Sequence, residues 1–335
     1  MADYTLSILQ LSDILKDELV DSGNYQCNLL KILPIIPARN ANAVNWAVDG
    51  YSGAPAETFS EGADVSTYTA ATQFKPTLGY ARYRDSKNIS GSALRQASLS
   101  VAPTATRDLL AEKIREAVKY VTLELGVDSF TGTGGNGLVG IQTAIDVSST
   151  YGGVDRSTNQ GFRSTEVTGS GAALSLPMLR NLLLSTTKRA RNAKPTHLVG
   201  SFDTMGKIMG LADSNFRVSF DGGAADRAAS KGLSIGFDYI DILGVPFVAD
   251  NNCPDGEIYA INDKVCHWEY VPCMNNDATG YAMGNAVDSL GDRLMLPFIM
   301  QPLSKLGDSC RFSVISELAL VVRDPSKCGK LTNFI

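Results

Sequence analysis

Hydrophobic positions recur at three- and four-residue steps through one long stretch, PTATRDLLAEKIREAVKYVTLELGVDSF, at residues 103–130. Leu110, Ile114, Val118, Val121 and Leu125 share one helical face there. Arg107, Glu112, Arg115, Glu116 and Lys119 fall largely elsewhere. Pro103 suits a first helical position, where its missing N–H would have no partner anyway. About 25 residues at 1.5 Å each predict a rod of roughly 37 Å, well beyond the usual helix of about 11–12 residues. TGTGGNGLVGI follows at once. Its Gly132, Gly134, Gly137 and Gly140 predict a turn that closes the helix, and the apolar end of the segment predicts a short strand.

Either side of this spine the pattern changes repeatedly. Leu11, Ile14, Leu15 and Leu19 predict a short amphipathic helix within residues 4–20. In NLLKILPIIPARNANAVNWAV, Pro34 and Pro37 oppose a regular helix, so extended chain is expected, ending in a strand around Val44 to Val48. Residues 49–77 are rich in Gly, Ala, Ser and Thr and cannot fill a core. A segment of that length inside a domain is expected to be functional, and it reads as a protruding two-stranded ribbon. Such a ribbon is marginal alone in water, so it is expected to lie on another subunit. GYARYRDSKNIS alternates Tyr80, Arg82 and Arg84 against Ala81, Tyr83 and Asp85, a strand signature, and Ser90 caps a short helix.

Beyond the spine, DVSSTYGGVDRSTNQGFRSTEVTGSG reads as a polar surface passage. LSLPMLRNLLLSTTKRARNA predicts a second helix, with Lys188, Arg189 and Arg191 near its end placed favourably against its dipole; the alternative reading of that basic run is a subunit or DNA contact. PTHLVGS predicts a strand and FDTMGKIMGLADSNFRV a third helix. GFDYIDILGVPFVADNNCPDGEIYAIN predicts strand, a corner at Gly244, Val245 and Pro246, strand, turn and strand. KVCHWEYV, RLMLPFIMQPLSKL, CRFSVISELALVVRD and KLTNFI are all strand-like. The order lacks the repeating βαβ of a doubly wound sheet and predicts an α+β fold.

Chemistry-bearing motifs are few. Residues 132–137 satisfy G-x-G-x-x-G in form, but a dinucleotide loop needs a strand before it and a helix N-terminus after it. Here a helix comes first, and its C-terminal pole would repel phosphate. No GxxxxGK[ST] or GxSxG occurs. His197 and His267 are the only histidines; Cys266, His267 and Cys273 lack paired zinc spacing. Six cysteines without a dense framework fit thiols in a reducing compartment. A net charge of −5 opposes a nucleic-acid-binding surface as the main purpose. No apolar run approaches the roughly 20 residues that span a bilayer, and the acidic N-terminal stretch does not read as a signal peptide. No catalytic, cofactor or metal site is expected.

Four segments together resemble the major capsid proteins of tailed bacteriophages, with their Hong Kong ninety-seven type fold. They are NISGSALRQAS, FTGTGGNGLVGI, PTHLVGSFDTMGKIMGLAD and ILGVPFVADNNCPDGEIYAIN, in that order. ELALVVRDPSKCGKLTNF is similar to the strand that ends such subunits. The resemblance implies an N-terminal arm at 1–43, an extended loop with flanking strands at 44–84, and a peripheral domain at 85–169 holding the spine. It further implies an axial domain at 170–262 and strands returning to the peripheral domain at 263–335, with a possible axial contribution. It implies pentamers and hexamers that tile an icosahedral shell around double-stranded DNA without sequence-specific binding, made in the host cytoplasm. Other partners would be scaffolding, portal and decoration proteins; no membrane and no cofactor are implied. Phe74 and Lys75 fall in the extended loop, and Lys75 and Lys87 are the lysines placed for the loop cross-link that some relatives form. Alternatives are an encapsulin-like nanocompartment shell, a tail or decoration component, and a cytosolic nucleotide-dependent oxidoreductase.

Overall fold

The computed structural model of the protein describes residues 28–40, 42–50, 72–93, 95, 105–215, 239–271, 281–283, 298–303 and 309–335. The expected helix over 4–20, the tip of the ribbon at 51–71 and Pro103 lie outside these residues.

The first described element is a helix, α1 (Asn28–Ile32), where extended chain was expected. Proline disfavours helix only at and immediately before itself, so five residues ahead of Pro34 remain free to coil. Asp250 Oδ2 accepts the Asn28 N–H at 2.8 Å, and Asn28 Nδ2 donates to Ala249 O at 2.5 Å, which fixes the helix start. β1 (Ile35–Pro37) follows.

The strand expected around Val44 to Val48 is two strands, β2 (Ala43–Asn45) and β3 (Val48–Gly50). They pair antiparallel with β5 (Thr77–Gly79) and β4 (Thr72–Phe74) respectively, forming the base of a ribbon. The break falls opposite Pro76, which has no N–H to offer a ladder; its carbonyl still accepts the Trp46 N–H at 3.4 Å. β6 (Ala81–Ser90) alternates buried Ala81 and Tyr83 with exposed Arg82 and Arg84. Ser90 Oγ accepts the Ala93 N–H at 3.3 Å as the chain coils.

The spine is α2 (Ala105–Thr131), 27 residues long. After its closing turn, where Thr133 and Val139 form an isolated bridge, the apolar segment is not a strand but a short helix, α3 (Ile141–Ala144), packed on α2 and on the later strand Ser309–Val322. Buried Leu138, Ile141 and Ile145 are spaced by three and four, so helical periodicity wins over strand propensity. The polar passage forms a small hairpin, β7 (Thr150–Tyr151) and β8 (Val154–Asp155), then β9 (Thr165–Ala172). Helices α4 (Leu176–Arg189) and α5 (Phe202–Asn215) flank β10 (His197–Gly200). The rest is β: β11 (Tyr239–Ile242), β12 (Val245–Ala249), β13 (Ile258–Ile261), β14 (Cys266–Tyr270), β15 (Tyr281–Met283), β16 (Phe298–Leu303), β17 (Ser309–Val322) and β18 (Gly329–Phe334).

Two larger sheets organise these strands. In the first, β17 pairs antiparallel with β6, β14 and β16, while β1 joins β14 in parallel and β15 joins β16. The second runs β11-β12-β10-β13-β18-β9. Its side chains alternate between two cores, as the two-residue period of a strand requires. Leu198, Ile258, Ala260 and Leu331 pack with Leu179 and Leu182 of α4 and Met205 and Ile208 of α5. Val199, Tyr259 and Ile261 face the other way, into the core that holds the spine and the first sheet. The second sheet is thus the wall between the cores.

Candidate assembly elements

The spine α2 lies on β6 and β17. Ile114, Val118, Val121 and Leu125 are buried in that contact, together with Ala117; the side chain of Leu110 lies outside the described residues. On its outer side Tyr120, Leu123 and Val127 are exposed, again at helical spacing. Lys87 of β6 reaches across to this side. Its Nζ sits 3.1 Å from Asp85, 3.2 Å from Glu116 and 4.5 Å from the centre of the Tyr120 ring.

The turn after α2 is shaped by glycine at three of the four expected positions. A Cβ on Gly132 would lie 2.3 Å from the Leu138 carbonyl oxygen, and one on Gly140 would lie 2.4 Å from that of Phe130. Gly134 and its neighbour Gly135 have positive φ, which L side chains resist. Gly137 has neither constraint; its nearest neighbour would be the Asp128 carboxylate at 3.5 Å. That carboxylate accepts the Tyr83 hydroxyl at 2.6 Å, and the hydroxyl oxygen accepts the Leu138 N–H at 3.1 Å. Burial and the Asp128 carboxylate hold the Tyr83 phenol far above its usual range. A turn that presents a carboxylate is the reverse of a phosphate cradle.

The passage read as polar surface is the largest departure. Tyr151, Arg156 and Phe162 are among the largest fully buried side chains. Arg156 donates to the carbonyls of Asp146 at 2.6 Å, Ala144 at 2.8 Å and Thr143 at 3.1 Å, satisfying the free carbonyl end of α3. Its guanidinium lies 5.0 Å from the centre of the Tyr151 ring, and burial lowers its pKa to about 10. Asp146 in turn accepts Lys330 Nζ of β18 at 2.8 Å and the Ser149 N–H at 2.8 Å. Although burial alone would raise it, those donors keep the Asp146 carboxyl well below the usual range. The Tyr151 hydroxyl accepts the Val322 N–H at 2.9 Å. Hydrogen bonds therefore tie the passage to both sheets. The one sequence signal for this was Tyr-Gly-Gly-Val, a tight-hairpin dipeptide, since Gly152 and Gly153 both have positive φ.

Of the remaining candidates, Phe74 at the ribbon base meets Phe162 edge-on, with ring centres 5.4 Å apart, and Lys75 is exposed. The corner predicted at Gly244, Val245 and Pro246 sits one step earlier. Leu243 and Gly244 are its two positive-φ residues, the pair that matches the twist of the flanking strands. Pro246 lies within β12, opposite Asp241. The basic end of α4 serves the fold: Arg189 donates to the carbonyls of Arg163 at 2.9 Å and Gln160 at 2.6 Å.

His197 and His267 are on different strands. Burial lowers both pKa values, that of His267 to about 4 with help from Arg323. His267 is therefore neutral near pH 7, and its 3.6 Å approach to Glu269 is not a charge pair. Among the described residues no group of three His, Cys, Asp or Glu is placed to hold a metal ion. No helix of the described residues is long and apolar enough to cross a membrane.

A spine on a strand sheet, a second sheet dividing two cores and the paired strands of β2–β5 define a capsid-shell subunit of the Hong Kong ninety-seven type. The SU10 major capsid protein family matches residues 9–334, and the chain belongs to it. It is a phage major capsid protein, a structural component of the virion and not an enzyme. The chain is similar to a subunit of the cyanophage A-1(L) capsid asymmetric unit, at 17% identity and a TM-score of 0.68, over 92% of this chain and 93% of that one. A Mycobacterium phage Bobi chain matches at 13% identity and a TM-score of 0.54, over 92% and 90%. The SrpI encapsulin of Synechococcus elongatus PCC 7942 matches at 11% and 0.54, over 91% and 86%. Likeness at these identities shows the α+β capsid fold, which phage shells and encapsulins share. No curated protein matches the chain by sequence.

Proposed function

We propose that this subunit assembles as pentamers and hexamers into an icosahedral shell enclosing the double-stranded DNA of a tailed phage. Membership of a major capsid protein family over nearly the whole chain carries this reading. Two features of the subunit support it. The spine offers one rigid piece that can transmit orientation across a capsomer. The paired strands at 43–50 and 72–79 launch a ribbon whose intervening residues are too polar to form a core of their own. Repeated weak contacts of such parts give a cooperative closed assembly whose single contacts remain reversible.

On this reading residues 1–43 are the arm and 44–84 the extended loop. Residues 85–169 and 263–335 build the peripheral domain, and 170–262 the axial domain. The two cores support the division, with one refinement: β9 crosses the 169/170 boundary, and β18 enters the second sheet. Scaffolding, portal and decoration proteins complete the set of proposed partners, and the DNA is enclosed without sequence-specific binding.

Cryo-electron microscopy of particles formed by the chain tests the proposal. Closed shells with five- and six-subunit capsomers, each ribbon lying on a neighbour, are expected. Tubes or dispersed monomers would overturn it. The encapsulin-like alternative has the SrpI likeness in its favour, and particle contents separate the two: nuclease-protected DNA for the phage reading, packaged protein for the other.

A further inference from the structure

Two thiols lie in contact where the two sheets meet. Cys266 opens β14 in the first sheet, and Cys328 immediately precedes β18 in the second. Their sulfurs are 3.5 Å apart, and both residues are buried, at 1% and 0% exposure. The four described cysteines are all free. Sulfurs in van der Waals contact need only a small approach to bond, and the link would close a loop of 62 residues between the sheets.

We propose that Cys266 and Cys328 form a latent disulfide, closed by a peroxide oxidant once the subunit leaves a reducing medium. In the chemistry, one thiol loses its proton and its sulfur takes an oxygen from hydrogen peroxide, giving a sulfenic acid and water. The second thiol's sulfur then attacks that sulfur, displacing its hydroxyl, which leaves as water with the second thiol's proton. Two thiols and one peroxide yield one disulfide and two waters, with each sulfur oxidised by one electron and the peroxide reduced by two. Burial sets the pace, because thiolates form reluctantly in apolar surroundings, and the contact with Cys328, together with burial, pushes the Cys266 thiol well up. The bond is therefore slow to form. Its effect is to staple the wall between the cores to the spine-bearing sheet, which constrains the unfolded chain more as the closed loop lengthens.

The test holds the purified full chain in hydrogen peroxide, unfolds it with an alkylating reagent present, digests it without reductant and maps the peptides by mass spectrometry. The expected result is a peptide pair joined through Cys266 and Cys328. A Tm rise of roughly 5 °C that dithiothreitol reverses should accompany it. Cys328→Ala should abolish both changes and Cys310→Ala neither. Recovery of Cys266 and Cys328 as separate alkylated or over-oxidised peptides after full oxidation would overturn the proposal. That mapping uses the unaltered chain, so it decides even where Cys328→Ala fails to fold.

Discussion

The spine α2 and the passage that follows it, residues 143–164, share one core but are held there differently. The spine goes in through aliphatic side chains at helical spacing, with Val118 and Leu125 fully enclosed. The passage adds to its apolar Ile145, Tyr151, Val154 and Phe162 buried polar groups that find partners: Arg156 on three carbonyls and Asp146 on Lys330 and Ser149. Apolar burial needs no particular partner and tolerates reshaping. Polar burial is costly unless every donor and acceptor is matched. The two regions should therefore fail differently when perturbed.

The largest effect is expected in the spine. Val118→Asp puts an unpaired carboxylate into a closed apolar site, a cost of at least about 4 kcal/mol. The variant should lose its soluble folded subunit and form no shells, as read by solubility and electron microscopy. Competent shells from it would refute the role of the spine. In the passage, Arg156→Met keeps the bulk but removes three hydrogen bonds and leaves the Ala144 carbonyl without its donor, while Asp146 and Thr143 keep Ser164 and Ser149; the expected loss in urea unfolding is about 2 kcal/mol. Arg156→Lys should recover little, because an ammonium cannot reproduce the planar fork.

Acid separates the two kinds of burial further. His267 is held neutral in the folded chain, with its pKa lowered from 6.5 to about 4. The unfolded chain therefore takes up the proton first, so stability is complete above pH 6.5 and declines as pH falls toward 4. That decline is about 3 kcal/mol, and His267→Asn should flatten it in urea titrations across the window. Asp146 has the opposite shift of a paired carboxylate, and its contribution is lost only below about pH 4. The smallest effects distinguish the turn glycines. Gly140→Ala forces a methyl onto a backbone carbonyl and should lower stability by about 2 kcal/mol. Gly137→Ala meets only ordinary contacts and should change it by under about 0.5 kcal/mol.

The same contrast explains what was legible in the sequence. The length of α2, the alternation in β6, the strands of the last third and the α+β order follow from apolar periodicity, which the chain displays openly. The buried face of the spine was legible for that reason too. The passage was not, because its burial rests on where hydrogen-bond partners lie. Asp146 and Lys330 are 184 positions apart, and no local pattern announces that they meet. The short helices α1 and α3 were missed on a smaller scale. Four or five apolar residues fit a strand or a helical turn equally well, and tertiary packing decides between them.

The claim on which both regions turn is that the polar passage is as much core as the spine. Hydrogen–deuterium exchange on the folded chain at pH 7 measures this directly. Amides at residues 143–146, 151 and 162–164 are expected to exchange as slowly as those at 114–125, within the same cooperative unit. Exchange of the passage at the rate of an exposed loop, with the spine still protected, would contradict the account.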